Sequence, residues 1–326
     1  MSHPRIPPEL AARALRGRIA LLREKVDAVI SEVLPALAEA GVRAIVLKGP
    51  AVAAWLYGDG RDRPYLDSDV LVSPADLPAA GEVLKRLGFT CVFDERDHGA
   101  NPHAQMWSRA NSPEVDLHWQ LPGVRAKPSD GWHVLAGRTE RLDVGGIEVE
   151  TLDAAGRALH VAIHAAYHQR GPSHARRDLE LALERLSRDV WLECAWLARR
   201  LGAEAAVGAG LRQVPGGVVL AEELRLTREG EGYWGLAGGR ARPGAHGIHR
   251  VMSMGSTIGA ARVLARELFP PASYMRAVSP TRELGSVVLV AAYVRRLFRG
   301  LRNAPGAIRT ARRTRRLERG TWQAYR

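Results

Sequence analysis

Lysine is scarce in this chain. Of its 47 basic side chains only Lys25, Lys48, Lys85 and Lys127 are lysine; the rest are arginine. Cysteine is scarcer still. Cys91 and Cys194 stand alone, which excludes a disulfide framework and a cysteine-based metal site and fits a reducing cytoplasm. Apolar runs are short: the longest, Val287 to Val294, falls well below the roughly 20 residues that a membrane-spanning helix needs. No transmembrane segment is therefore expected. Met1 to Leu10 has no charged-then-apolar leader, and no secretory signal is expected either.

What is present is a chain of 326 residues, 46% apolar, with a formal charge of +12. That apolar fraction suffices for sizeable cores, and the length suits two modest domains. The charge is uneven. Arg295 to Arg326 holds eleven arginines against one glutamate, Glu318, so the body of the chain is near neutral. The expected organisation is a first domain over 1–150, a helical domain over 151–298 and an arginine-rich tail over 299–326. The tail is a candidate arm for nucleic acid or another acidic surface.

The informative stretch is RAIVLKGPAVAAWLYGDGRDRPYLDSDVLV, residues 43–72. Ala44 to Leu47 reads as a buried strand, broken by Lys48-Gly49-Pro50. Helix formers resume at Ala51, and Pro50 suits a first helical position. After a loop over Gly58 to Pro64, Tyr65 to Val72 reads as a second strand. Its period of two puts Asp67 and Asp69 on one face, about 6.5–7 Å apart. Two such carboxylates repel unless something neutralises them, and a hard divalent cation such as Mg2+ is the natural candidate. The Lys48-Gly49 turn offers an anion a mobile charge and close backbone approach.

Further along, Ala104 to Arg109 and Glu114 to Trp119 read as a strand pair joined by Asn111-Ser112-Pro113. Alternation in Val115-Asp116-Leu117-His118-Trp119 turns Asp116 away from its apolar neighbours. If this strand lies beside the Asp67/Asp69 strand, three carboxylates converge, the number that two-metal phosphoryl transfer uses.

Together, Leu47-Lys48-Gly49-Pro50, Leu56-Tyr57, Arg63-Pro64, Asp67-Ser68-Asp69-Val70-Leu71-Val72 and Val115 to Trp119 resemble the uncharacterised nucleotidyltransferase family of the polymerase-beta-like superfamily. The resemblance spans about residues 40–200. It implies an α+β fold, with a small mixed sheet flanked by helices and followed by an α-helical domain. It implies Mg2+-dependent transfer of a nucleoside monophosphate from an NTP to an acceptor it does not identify. Lys48, Gly49 and Arg63 would face the triphosphate, and Asp67, Asp69 and Asp116 would hold metal and serve catalysis. The chain departs from the wider superfamily by having Lys-Gly where Gly-Ser is usual, which removes a hydroxyl from the turn. It also has Ser68 where an apolar residue is usual. The missing hydroxyl supports a rival reading: a non-catalytic, antitoxin-like or regulatory module that binds nucleotide or a partner.

The flanks read mainly as helix. A long leading helix covers Glu9 to Ala40, with Pro35 as a kink point. Ser73 and Pro74 look like a helix start. A hairpin over Arg138 to Glu150 turns at Gly145-Gly146, and Thr151-Leu152-Asp153 opens the helical half. His160, His164 and His168 recur every four residues on one helix. With no acidic partner of metalloprotease type nearby, a polar stripe is favoured over a zinc site. Gly171-Pro172-Ser173 is a break, Arg228 to Gly247 a long loop, and Gly285 to Phe298 an amphipathic helix. Trp322 and Tyr325 offer stacking or interfacial contact in the tail.

Overall fold

The computed structural model describes residues 8–58, 63–98, 102–144, 146–168, 174–228, 233–234, 236, 244–277 and 285–324. The middle of the Gly58–Pro64 loop, Gly145, the Gly171-Pro172-Ser173 break, most of the Arg228–Gly247 loop and the side chains of Trp322 and Tyr325 lie outside them. The chain divides into two compact units. One comprises residues up to Cys91, Ala104–Gln120 and Lys127–Arg157; the other comprises Val92–His103, Leu121–Ala126 and the chain from Ala158 on.

In chain order the first part runs α1 (Pro8–Glu39), β1 (Ala44–Val46), α2 (Pro50–Leu56), β2 (Asp67–Val72), α3 (Leu77–Arg86), β3 (Thr90–Asp94), α4 (Glu95–His98), β4 (Ala104–Ser108), β5 (Glu114–His118), α5 (Pro128–Ala136), β6 (Thr139–Val144) and β7 (Ile147–Leu152). The seven strands form one mixed sheet in the order β3-β4-β5-β2-β1-β7-β6. β1 is antiparallel to β2 and parallel to β7, and β2 is parallel to β5. β4–β5 and β6–β7 are antiparallel hairpins. Asn111, at φ 58°, supplies the left-handed residue in the first, a conformation that asparagine tolerates better than most side chains.

The pleat sorts the strands into two faces. Val70, Val72, Val115, Leu117 and Trp107 point to one side and pack on Val29, Val33 and Leu37 of α1 and on Val83 and Leu84 of α3. Burying each of these aliphatic side chains contributes roughly 1.5–3 kcal/mol, and this layer anchors the sheet. The opposite face of the same two strands carries Asp67, Asp69, Asp116 and His118.

Two expectations shift. Thr151 and Leu152 belong to β7 rather than to the following helix, because Thr151 aligns with Val46 and its hydroxyl donates to the Val46 carbonyl at 2.8 Å. α3 begins at Leu77 rather than beside Ser73, whose Oγ instead accepts from the Ala75 amide at 3.2 Å in a local turn. The leading helix forms over the expected stretch, with Pro35 inside it.

From Ala154 on, the described elements are all helices. After α6 (Ala154–Tyr167) come α7 (His174–Arg185), α8 (Arg188–Arg200), α9 (Glu204–Leu211), α10 (Pro215–Glu223), α11 (Ala245–Ser253), α12 (Thr257–Leu268), α13 (Ala272–Ala277) and α14 (Ser286–Ala324). Gly210 of α9 comes so close to α6 that a Cβ there would lie 1.7 Å from the Ala162 carbonyl oxygen. Ser256 caps α12, accepting from the Gly259 amide at 3.3 Å. The amphipathic segment and the arginine-rich tail form one helix, α14, which runs through Pro305.

Candidate active site

β2 and β5 run side by side in register, with Asp67 opposite Glu114, Asp69 opposite Asp116 and Leu71 opposite His118. Residues two apart share a face of a strand, and partners across parallel strands are about 4.8 Å apart. The sheet itself therefore concentrates acid on one patch. Among the described residues, Asp69, Asp116 and His118 form a group whose ligand atoms all lie within 4.8 Å of one another. No such group of described residues includes His160, His164 or His168. Those imidazoles instead run along α6 from His160 and His164 to His168 just past its end, with ring centroids 6.4 and 4.4 Å apart.

Two donors converge on Asp69. Lys48 Nζ lies 2.8 Å from Oδ1, and His118 Nε2 lies 3.0 Å from the same oxygen. A carboxylate only accepts, so Nε2 carries the proton in this contact. The second oxygen, Oδ2, is buried with no hydrogen-bond partner. Burial alone would raise the pKa of Asp69, but the Lys48 charge and the His118 contact outweigh it and hold the carboxyl well below the usual range.

The other two acids behave oppositely. Burial, reinforced by the negative charge of Asp69, raises Asp67. Burial, Asp69 and Asp67 together push Asp116 up to about 8. Burial works against the charged form of Lys48 too, yet the attraction of Asp69, Asp67 and Asp116 leaves its pKa raised. Lys48 is thus a firm ammonium, excluded as a proton acceptor at neutral pH.

The turn that places Lys48 depends on Gly49. Its φ of 64° and ψ of −117° lie where residues with a Cβ are strained. Space is not the constraint, since an added Cβ would meet Tyr65 Cδ2 at 3.6 Å and the Asp67 carbonyl oxygen at 3.7 Å. Tyr65 is fixed in turn by donating to Asp27 of α1 at 2.8 Å. Arg63 is buried, and its Nη1 donates to the Gly49 carbonyl at 3.4 Å. Through that bond it braces the turn from within, and its charge offsets a little of the rise that burial and Asp69 impose on Asp67. Of the three residues expected to face phosphate, Lys48 reaches the acidic patch directly. His118 had no role assigned from sequence, although its place two residues after Asp116 on the same strand face was the available signal.

The family model of the uncharacterised nucleotidyltransferases matches residues 1–215. No curated protein matches the chain. Among solved structures, the antibiotic-resistance factor ANT(2'')-Ia is 14% identical over 54% of this chain and 93% of its own, with a TM-score of 0.40. An antigenic nucleotidyltransferase-like protein from Paracoccidioides brasiliensis is 16% identical over 56% of this chain and 92% of its own, with a TM-score of 0.34. With its family model spanning well over half of the sequence, including every strand of the sheet, this chain belongs to the uncharacterised nucleotidyltransferase family.

Proposed function

We propose that the protein is a Mg2+-dependent nucleotidyltransferase that moves a nucleoside monophosphate from an NTP to an acceptor hydroxyl and releases pyrophosphate. The observation that carries this reading is the register of β2 and β5, which sets Asp69 beside Asp116 with Lys48 against them. The donor set fits a hard cation: Asp67, Asp69 and Asp116 offer carboxylate oxygens, and Asp69 Oδ2 is a buried acceptor with no hydrogen bond. A divalent ion held there supplies Lewis acidity and neutralises charge on phosphoryl oxygens. His118, being a nitrogen donor already turned onto Asp69, orients that carboxylate rather than adding a ligand.

In the transfer, the acceptor oxygen forms a bond to the α-phosphorus while the bond to the bridging oxygen of the β-phosphate breaks. Pyrophosphate departs with that electron pair, and the acceptor's proton passes to Asp116. Lys48 stays protonated and meets the phosphates as a fixed positive charge, the electrostatic contribution that dominates such reactions. Gly49 sets the turn that aims Lys48, and Arg63 holds Gly49 in place.

The test is incubation with each labelled NTP, Mg2+ and cell extract, comparing wild type with Asp69→Asn and Asp116→Asn. Label transfer that survives both substitutions overturns the reading. The double engagement of Asp69 Oδ1 by Lys48 and His118 favours a second one: an internal cation occupies the acidic patch of a module that binds nucleotide without turning it over. Calorimetric NTP binding with no pyrophosphate release across a broad acceptor panel would favour that alternative.

A further inference from the structure

We propose that the outward face of α14 docks on an anionic lipid surface. Val287, Val290, Val294, Phe298 and Leu301 follow one another at intervals of three or four residues, and each is between 46% and 83% exposed. That spacing is a helix face. The same face continues through Pro305 into Arg309, Arg312 and Arg316, all exposed. One stripe is therefore apolar in its first half and cationic in its second. The inner side of α14 is already used: Ala307 packs with Leu236 and Ala245, Tyr293 donates its hydroxyl to the Pro270 carbonyl, and Arg296 Nη2 donates to the Glu267 carbonyl at 3.0 Å.

A single occupant must cover large aliphatic and aromatic side chains and also neutralise arginines. A nucleic acid would meet the arginines and leave the Val/Phe half in water. A second copy of the chain fails in both directions, since parallel pairing sets arginine against arginine and antiparallel pairing sets arginine against valine and phenylalanine. An anionic bilayer surface satisfies both halves: the apolar side chains enter the acyl boundary while the guanidinium groups stay among the headgroups. No helix of the described residues is long and apolar enough to cross a membrane, so the contact is one of lying on the surface.

Flotation of the full chain tests this with vesicles of phosphatidylcholine alone or with phosphatidylglycerol added. The expected result is binding to the anionic vesicles and not to the neutral ones. Val294→Glu with Phe298→Glu should abolish it. Arg309→Gln, Arg312→Gln and Arg316→Gln together should weaken it on the order of a hundredfold, about fivefold for each arginine. Helix content by circular dichroism guards against misfolding, and Val294→Ala with Phe298→Ala, which favours helix, should show the same loss. Equal binding to neutral vesicles, binding to neither, or retention in either apolar-face variant overturns the proposal. So does a wild-type dimer that Val294→Glu with Phe298→Glu converts to monomer, or an oligonucleotide bound in place of vesicles.

Discussion

Lys48 Nζ stands 2.8 Å from Asp69 Oδ1, and the two come from elements that meet because β1 pairs with β2 in antiparallel register. The Leu47 amide donates to the Asp69 carbonyl at 3.0 Å, so the backbone delivers Lys48 to the far end of the acidic strand. The ammonium is then the internal counter-ion of three clustered carboxylates. An added divalent cation would take over part of that work.

Lys48→Met is therefore expected to destabilise the metal-free protein by about 3–5 kcal/mol, the range for removing one partner of a buried ion pair. Mg2+ should raise the melting temperature of this variant more than that of wild type. Scanning calorimetry with and without Mg2+ decides it, and an equal Mg2+ response in both proteins contradicts the counter-ion role.

Asp116→Asn has opposite consequences for folding and for chemistry. It removes a charge that burial, Asp69 and Asp67 all oppose, so the metal-free melting temperature should hold or rise. Turnover should fall at least about a hundredfold, as for loss of one preorganised catalytic group. A variant that is active, or one that unfolds, would speak against the assignment.

The pH dependence follows from the same residue. Unfolded aspartate titrates near 4, whereas Asp116 titrates at about 8 in the fold. Between those values the folded protein holds a proton that the unfolded chain has lost. Its contribution to stability is thus full below about pH 4 and is lost as pH rises through about 8. Wild type in EDTA should lose melting temperature relative to Asp116→Asn between about pH 5 and pH 8.5. A flat difference between the two curves would refute the shift.

Ser68 faces the apolar layer between the two aspartates, with its hydroxyl buried and unbonded. An unsatisfied buried polar group costs about 1–3 kcal/mol. Ser68→Ala should stabilise the protein by about 1 kcal/mol in urea denaturation and leave label transfer unchanged. A loss of stability would show that the hydroxyl is doing structural work.

Gly210→Ala tests the helical unit. A Cβ placed 1.7 Å from the Ala162 carbonyl oxygen cannot be accommodated unless α9 moves away from α6. The expected loss is about 3 kcal/mol or more, at the upper end for overpacking. A melting temperature within a degree or two of wild type would mean the helices separate easily.

Some of this protein was determined by local sequence alone. Strand alternation puts Asp67 with Asp69, and Asp116 with His118, on single faces whatever the rest of the chain does. Gly49 marks a turn because only glycine takes its backbone angles without strain, and the apolar spacing of α1 fixes the side it buries. Tertiary structure decided what those local patterns meet. That β5 runs parallel to β2 with Asp116 level with Asp69 depends on pairing across more than forty residues, which no local period encodes. The attachment of His118 to Asp69 depends on that pairing, that of Lys48 on the pairing of β1 with β2, and the strand state of Thr151 on the pairing of β7 with β1, which its bond to Val46 secures. The outward stripe of α14 likewise became visible only when packing showed which side of the helix was already covered. Side-chain period is a property of a few residues, whereas register and burial belong to the whole fold.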